Sequence, residues 1–431
     1  MKKIAVIGIG YVGLPLARLF STKYPVIGYD INLERINELN NCKDILNELS
    51  KNIIKKELVH KNPFNNNFKK GLYFTNNLND IKQANIYVIT IPTPVYKNKK
   101  PDLRLLFKAT RDVGKFLNKK DIVIYESTVY PGLTEEECVP ILEKESKLIF
   151  NKNFFVGYSP ERINPGDKKR TIDKILKITS GSNKKTAIEI DKLYKSVIKA
   201  GTYLAPSIKI AEAAKIIENT QRDINIAFIN ELSKIFNLLN INTNEVLKAA
   251  STKWNFLNFK PGLVGGHCIG VDPYYLSKKS QDLGYNPKII LAGRKLNDSM
   301  GEYVVSQVVK LMIKKNIKIK NSKVLILGIA FKENCNDIRN SKVFDIIKNF
   351  EEYDIKTTIF DPLVLPSLVK KNKNKNLNFN NIYKINKYDA IVLAVNHINF
   401  KKFNYKENLK KNSVLYDVKR VLKNKNIDGG L

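Results

Sequence analysis

Two doubly wound, parallel-sheet α/β domains joined by a helical middle with one long helix are what this sequence predicts, on three observations. Short β-branched runs alternate with helical stretches through the first third, a long segment then carries apolar residues at helical spacing, and from Lys323 the opening strand pattern returns. The first strands read IAVIGIG, PVIGYD, NIYVITIP, DIVIYESTV and FFVGYSPER, a rhythm that implies a parallel sheet covered by helices. Between Tyr203 and Asn240, Ile210, Ala214, Ile217, Phe228, Leu232, Ile235 and Leu239 recur at helical spacing. One long helix is expected there, linking two domains or building a dimer interface, and a linker helix should be largely buried. The later strands are VLILGIAF, TTIFDP, YDAIVLAVNH and VLYDV. Val324 to Gly328 repeats a glycine-ended strand, Asp361 ends the next strand as Asp30 does, and VLAVNH echoes VITIPT. The division expected is 1–200, 201–300 and 301–431. The run KKNKNKN, from Lys370 to Asn376, is expected to be a solvated polar loop.

The composition suits such a fold. Of 431 residues, 43% are apolar and 27% charged, which excludes general disorder, and the length excludes a small disulfide knot. The net charge of +33 points to an anionic partner: a phosphorylated small molecule, a nucleic acid or an anionic membrane surface. A nucleic-acid-binding protein on a dinucleotide-fold scaffold is the remote alternative, but the lysines are dispersed and no binding module or stripe of stacking aromatics is present. Cys42, Cys138, Cys268 and Cys335 are too few and scattered for a disulfide framework, so a cytoplasmic location is expected. No apolar run approaches the ~18 residues of a membrane span. Lys2 and Lys3 before an apolar stretch imitate a secretory signal, but no small-residue cleavage pattern follows.

The glycines in that stretch have another meaning. Gly8, Gly10 and Gly13 form G-x-G-x-x-G between a strand and the helical LPLARLF, and Asp30 ends the next strand about 20 residues on. The first glycine permits a tight turn, the second lets a pyrophosphate approach the backbone, and the third lets helix and strand pack closely. Asp30 would accept hydrogen bonds from a ribose diol and repel a 2′-phosphate, so NAD is the expected cofactor of a Rossmann-like domain. Thr93, in IPTP, and Thr128, in ESTVYPG, end further strands of the same sheet and are expected at the ligand crevice.

The segment PGLVGGHCIGVDP, from Pro261 to Pro273, carries the candidate chemistry. Gly265 and Gly266 would let backbone and thiol approach a ligand, with Asp272 four residues beyond Cys268. A lone cysteine is more often a small buried hydrophobe, but beside a cofactor fingerprint it reads as a nucleophile. Lys215, Asn219 and Asp223 fall at i, i+4 and i+8 on one helix face, where a buried lysine could stabilise an oxyanion or thiolate. An alcohol dehydrogenase that stops at the aldehyde needs no thiol. A thiol next to a nicotinamide suggests instead a thiohemiacetal, a thioester and a four-electron oxidation consuming two NAD. His60, His267 and His397 are the only histidines and show no zinc-type spacing, so no catalytic metal is expected.

The blocks GIGYVGLPLA, VITIPTP, ESTVYPG, YSPERINPGD, AEAAKIIENTQRDINIAFINE, FKPGLVGGHCIGVDPYYL and FKENCNDIRNS, in this order, resemble the UDP-glucose/GDP-mannose dehydrogenase family over nearly the whole chain. The family oxidises the C6 hydroxyl of a nucleotide sugar to a uronic acid. The resemblance implies Cys268 as nucleophile, Lys215 and Asn219 as oxyanion stabilisers, and Asp272 in the water-dependent step, with Thr128 and Glu161 positioning the water. It implies a cofactor held by Gly8, Gly10, Tyr11, Val12, Gly13, Asp30, Arg35, Thr93, Thr128 and Arg339. The sugar nucleotide would meet Glu161, Arg162, Lys215, Asn219, Lys260, Gly265 and Lys332. SPERINPGD and FKENCNDIRNS look most like the branch acting on UDP-N-acetylglucosamine or UDP-N-acetylgalactosamine for capsule and O-antigen polysaccharides. Relatives using UDP-glucose usually carry a further glutamate where Asn164, Pro165 and Gly166 stand; UDP-glucose is the alternative substrate. Relatives also imply a homodimer through the long helix.

Overall fold

The computed structural model describes residues 1–431 apart from Asn47, Asn67, Lys97 and positions 164–169, 372–377, 381–384 and 423–426. The loop Asn164, Pro165, Gly166 and most of the KKNKNKN run therefore lie outside the described residues, whereas Lys370 and Lys371 end a helix, Pro366–Lys371. The chain forms two compact units, one of Met1–Glu218 with Tyr274–Leu283, the other of Asn219–Pro273 with Gly284–Leu431.

In the first unit, strands β1 (Ile4–Ile7), β2 (Pro25–Tyr29), β3 (Gly71–Thr75), β4 (Ile86–Ile89), β5 (Ile122–Tyr125), β6 (Phe155–Tyr158), β7 (Lys177–Gly181) and β8 (Thr202–Leu204) form, among the described residues, an eight-stranded sheet of order β3-β2-β1-β4-β5-β6-β7-β8. Every residue of β1, β4 and β5 is buried, as helices on both faces of a parallel sheet require. Ile4, Val6, Leu14, Phe20, Val26, Val88 and Ile124 share its core. Strand order reverses at β1, which opens a ligand crevice at the carboxyl ends of β1 and β4. One pairing breaks the parallel pattern: β7 runs antiparallel to β6. Its amino end therefore lies at the same edge of the sheet as the carboxyl ends of β5 and β6.

The second unit repeats the plan with β9 (Lys323–Leu327), β10 (Lys356–Phe360), β11 (Phe379–Asn380), β12 (Tyr388–Leu393) and β13 (Leu409–Asp417), parallel in the order β11-β10-β9-β12-β13. The helix Met300–Lys314 presents Met300, Val304, Val308 and Met312, one per turn, to Val324, Ile326 and Val392 of this sheet. The echo in sequence is an echo in geometry. Gly8 N–H donates to Tyr29 O at 2.8 Å, and Gly328 N–H to Phe360 O at 2.9 Å. Both glycines have left-handed backbones, φ +95° and +88°. Ile9 N–H reaches Asp30 Oδ2 and Ile329 N–H reaches Asp361 Oδ2, each at 2.8 Å.

The long helix spans Ile208–Leu238, and Tyr203 belongs instead to β8. Its inside face is mixed, with Ile208, Ala211, Ile216, Ala227 and Ile229 buried beside polar groups. Ile210, Ile217, Phe228 and Ile235 are exposed, while Glu212, Lys215, Thr220, Asp223, Asn230 and Ser233 are buried. Periodicity fixes which residues share a face, but not which face is inside. Here polar groups share the inside because they find partners: Glu212 accepts from Gly132 N–H and Thr134 N–H, and Asp223 from Arg294 and Asn297. No helix of the described residues is long and apolar enough to cross a membrane.

Candidate active site

The glycine turn after β1 is built as the fingerprint requires. A Cβ on Gly13 would stand 1.9 Å from Gly8 O, so only glycine lets this helix start so close to the strand. A Cβ on Gly10 would meet nothing within 4 Å, which leaves the backbone open to a pyrophosphate. Tyr11 and Val12 complete the turn into the first helix, Gly13–Ser21. Asp30 accepts from Ile9 N–H and, through Oδ1, from Asn32 N–H at 2.9 Å, which fixes the carboxylate beside the turn. Arg35, on the helix Leu33–Asn40, donates from Nε to Ile9 O at 3.0 Å and from Nη1 to Asp44 at 2.8 Å. Its Nη2 is buried with no hydrogen-bond partner, a donor left for a bound group. These residues fit a dinucleotide.

At the crevice edge of the sheet, Thr93 and Thr128 meet: the Thr93 hydroxyl donates to Thr128 O at 2.7 Å. Thr93 O in turn accepts from the Tyr275 hydroxyl at 2.8 Å. Glu161, just past β6, accepts from the amides of Arg162 and Ile163, each at 2.5 Å, and Arg162 pairs with Glu218 at 2.7 Å. Lys215 is buried on the part of the long helix that belongs to this unit.

The second unit holds the cysteine loop. The amides of Val271 and Asp272 close a turn on Cys268 O at 3.0 and 2.9 Å, and Asp272 begins the helix Asp272–Asp282. Asn219 Nδ2 donates to Asp272 Oδ2 at 2.5 Å, so two candidate residues 53 positions apart are joined. The loop packs on the FKENCNDIRNS block, with Gly266 N–H donating to Asn340 O at 3.2 Å. A Cβ on Gly265 would stand 2.6 Å from that same oxygen, so glycine is needed for this approach. Burial above all, helped by Arg339 and opposed by Asp337, brings the His267 imidazole down to about 4, so the neighbour of Cys268 is neutral at physiological pH. Arg339 is exposed and grips Asp337 through Nε and Nη2. Lys332 stands over the Phe331 ring, and Lys260 is exposed. The candidates thus fall into two groups, with the cofactor turn, Thr93, Thr128, Glu161 and Lys215 in the first unit and Cys268, Asn219, Asp272, Lys260, Gly265, Lys332 and Arg339 in the second.

Several supporting residues carried no sequence signal. Thr90 donates to Ile7 O and Gly8 O and ties β4 to the glycine turn. Asn230 reads both backbone groups of Gly262, accepting from N–H at 2.8 Å and donating to C=O at 3.0 Å, and so anchors the root of the cysteine loop. Asn297 and the buried Arg294–Asp223 pair extend this network. Beneath Glu161, Lys177 lies between Glu126 at 2.5 Å and Glu161 at 3.4 Å. Burial works against its ammonium, but Glu126 and then Glu161 outweigh burial and hold its pKa above the usual lysine range.

Comparison with known proteins aligns the chain with three consecutive domains of one family. Residues 2–198 match the NAD binding domain of the UDP-glucose/GDP-mannose dehydrogenase family, 209–299 its central domain and 325–424 its UDP binding domain. The chain is 53% identical over 423 residues to UDP-N-acetyl-D-glucosamine 6-dehydrogenase of Salmonella typhi, covering 97% of this chain and 96% of that protein. It is also 53% identical over 424 residues to the Pseudomonas aeruginosa protein of the same name, covering 97% of each. Among solved structures, a UDP-D-ManNAc dehydrogenase from Pyrococcus horikoshii superposes with a TM-score of 0.86 at 28% identity, covering 99% of this chain and 98% of that one.

Proposed function

The chain belongs to the UDP-glucose/GDP-mannose dehydrogenase family and is an oxidoreductase that uses NAD, and from that premise we propose that it oxidises the C6 hydroxyl of a UDP-N-acetylhexosamine, of the gluco or galacto type, to the uronic acid. The observation that carries this reading is the 53% identity, over 97% of the chain, to proteins named for UDP-N-acetyl-D-glucosamine. The product serves surface polysaccharide synthesis in the cytoplasm, a compartment that suits four cysteines of which none is in a disulfide. The domains follow the division 1–200, 201–300 and 301–431.

Bound NAD supplies a hydride acceptor, twice per sugar. The protein's part is to hold charge and move protons. The Cys268 thiolate adds to the aldehyde carbon left by the first oxidation, giving a thiohemiacetal; its oxidation gives a thioester. Lys215 and Asn219 donate hydrogen bonds to the oxygen that bears negative charge in these steps. Water then forms the new C–O bond, the C–S bond breaks with its electron pair on sulfur, and Asp272 accepts the water proton while Thr128 and Glu161 orient the water. Gly8, Gly10, Tyr11, Val12, Gly13, Asp30, Arg35, Thr93 and Arg339 bind the cofactor; Arg162, Lys260, Gly265 and Lys332 bind the sugar nucleotide. The diphosphate suits such fixed cations and backbone donors.

A panel of UDP-sugars followed by NADH absorbance and product mass tests the reading. Two NADH per acetamido sugar are expected, and faster turnover of UDP-glucose than of every acetamido sugar would overturn the substrate class. Cys268→Ser should yield one NADH per sugar and release aldehyde; carboxylate formation by that variant would remove the thiol from the mechanism. The exposed face of the long helix, with Ile210, Ile217, Phe228 and Ile235, is the proposed contact of a homodimer. Phe228→Asp should convert the dimer to monomer in sedimentation velocity, and an unchanged sedimentation coefficient would place the contact elsewhere.

A further inference from the structure

The cluster beneath Glu161 is large, buried and unused by the mechanism above. Relative side-chain exposure is 0% at Glu126, 3% at Lys177 and 10% at Glu161, so the cluster is sealed at Glu126 and reaches outward at Glu161. Both Glu126 oxygens are taken, one by Lys177 and the other by a short hydrogen bond from the Tyr194 hydroxyl. Tyr194 is itself fixed in the core, edge-on to Phe20 with ring centroids 5.4 Å apart. A buried lysine held only to balance a structural carboxylate needs one partner; this one faces two, and the second is Glu161.

The topology explains the placement. The antiparallel register pairs Gly157 with Gly181 and Tyr158 with Ser180, and continued outward it sets Lys177 opposite Glu161. Had β7 run parallel to β6, its first residue would lie at the far edge of the sheet, away from the crevice. This antiparallel pairing thus brings an ammonium to the crevice edge of the sheet.

We propose that Lys177 is a positioning residue for Glu161: clamped by Glu126 and Tyr194, its ammonium fixes the Glu161 carboxylate in the orientation that aligns water for cleavage of the Cys268 thioester. This rests on the water-orienting role given to Glu161 above. Two backbone amides hold one Glu161 oxygen and Lys177 the other, so all rotation of the carboxylate is stopped by three donors. Without the ammonium, Oε2 is free to swing and the water loses its acceptor.

The test separates positioning from charge balance. Lys177→Met alone strands a buried carboxylate and is expected to lower stability. The double variant Lys177→Met/Glu126→Gln removes the pair together, so it should fold with near-native melting temperature. Its kcat should nevertheless fall at least ~10-fold, with KM for the UDP-sugar falling in parallel and kcat/KM little changed, as expected when breakdown of a covalent intermediate becomes the slow step. Mass spectrometry of the double variant during turnover should show Cys268 carrying the acyl group, because thioester cleavage has become the slow step. Lys177→Arg should restore much of the rate. A folded double variant with native kcat and no acylated Cys268 would overturn the proposal. Glu161→Gln is the control for the underlying reading: native turnover in that variant refutes the role of Glu161 itself, whereas slow turnover there with a fully active double variant refutes only Lys177.

Discussion

Gly10 and Gly13 belong to one motif but do different work, and alanine at each separates them. At Gly13 the new Cβ would sit 1.9 Å from Gly8 O and 2.6 Å from Thr90 Oγ1, where about 3 Å is the practical minimum. The helix must therefore retreat by about 1 Å from the strand it caps, at an overpacking cost of roughly 1–3 kcal/mol. The same retreat strains the Thr90–Gly8 hydrogen bond of 2.6 Å, worth about 1 kcal/mol more. For a unit of this size each kcal/mol moves the melting temperature by about 2–4 °C, so Gly13→Ala should melt on the order of 10 °C lower. Gly10→Ala has open space around its Cβ and should melt within a degree or two of wild type. That Cβ stands where a pyrophosphate must approach, so NAD affinity should fall by at least ~10-fold, about 1.4 kcal/mol. Differential scanning fluorimetry with NAD titration reads both effects. A Gly13→Ala protein of native stability, or a Gly10→Ala protein of native NAD affinity, would refute the division of labour.

Two further perturbations probe the buried polar groups. Burial pushes the Glu212 carboxyl up to about 7, against the pull of its hydrogen bonds to Thr134 and Gly132. A carboxyl raised in the folded state favours folding below its unfolded value near 4.5, and that stability is lost as pH rises through about 7. Glu212→Gln, which keeps an acceptor for the amides, should therefore gain on wild type between pH 5 and pH 8 by up to about 3 kcal/mol; a constant difference in urea unfolding at the two pH values would contradict this. Asn230→Ala leaves the Gly262 amide and carbonyl without their side-chain partner inside the second unit, so a loss of about 2–4 kcal/mol is expected. Cys268 in that variant should also alkylate faster, measured on its own peptide, and an unchanged rate would show that the loop is held by other contacts.

Much of this was legible in the sequence because local rules decided it. The glycine turn and Asp30 follow from spacing, since a strand, a tight turn and a helix leave those side chains few places to go; Thr93 and Thr128 do not end strands as expected but lie in the loops beyond β4 and β5, which end at Ile89 and Tyr125. The long helix was legible in existence but not in orientation. Ile210, Ile217, Phe228 and Ile235 repeat as a buried stripe would, yet they face outward, because hydrogen-bond partners for Glu212, Asp223 and Asn230 come from residues 32 to 80 positions away. Sequence periodicity carries no information about such distant partners. Lys177 was invisible for the same reason: KITSG reads as an ordinary strand start, and only the reversed direction of β7 brings it to Glu161.

The repeated domain shows how one local rule can hold while its function changes. Asp30 and Asp361 each close the same glycine turn, but the capacity left on each carboxylate differs. Asp30 accepts from two backbone amides, of Ile9 and Asn32, and retains lone pairs for a ribose hydroxyl. Asp361 accepts from the amides of Ile329, Ala330, Leu363 and Val364. It also faces His397 Nε2 at 3.1 Å, on a ring whose Nδ1 accepts from Asn334 N–H, so Nε2 carries the proton and donates it. Five donors fill a carboxylate with about four lone-pair sites. The second and third glycines of the motif are replaced there by Ala330 and Glu333, so neither the close approach nor the open acceptor survives. The turn in the second unit therefore stabilises the sheet, and a nucleotide bound by this unit must be held by groups other than Asp361.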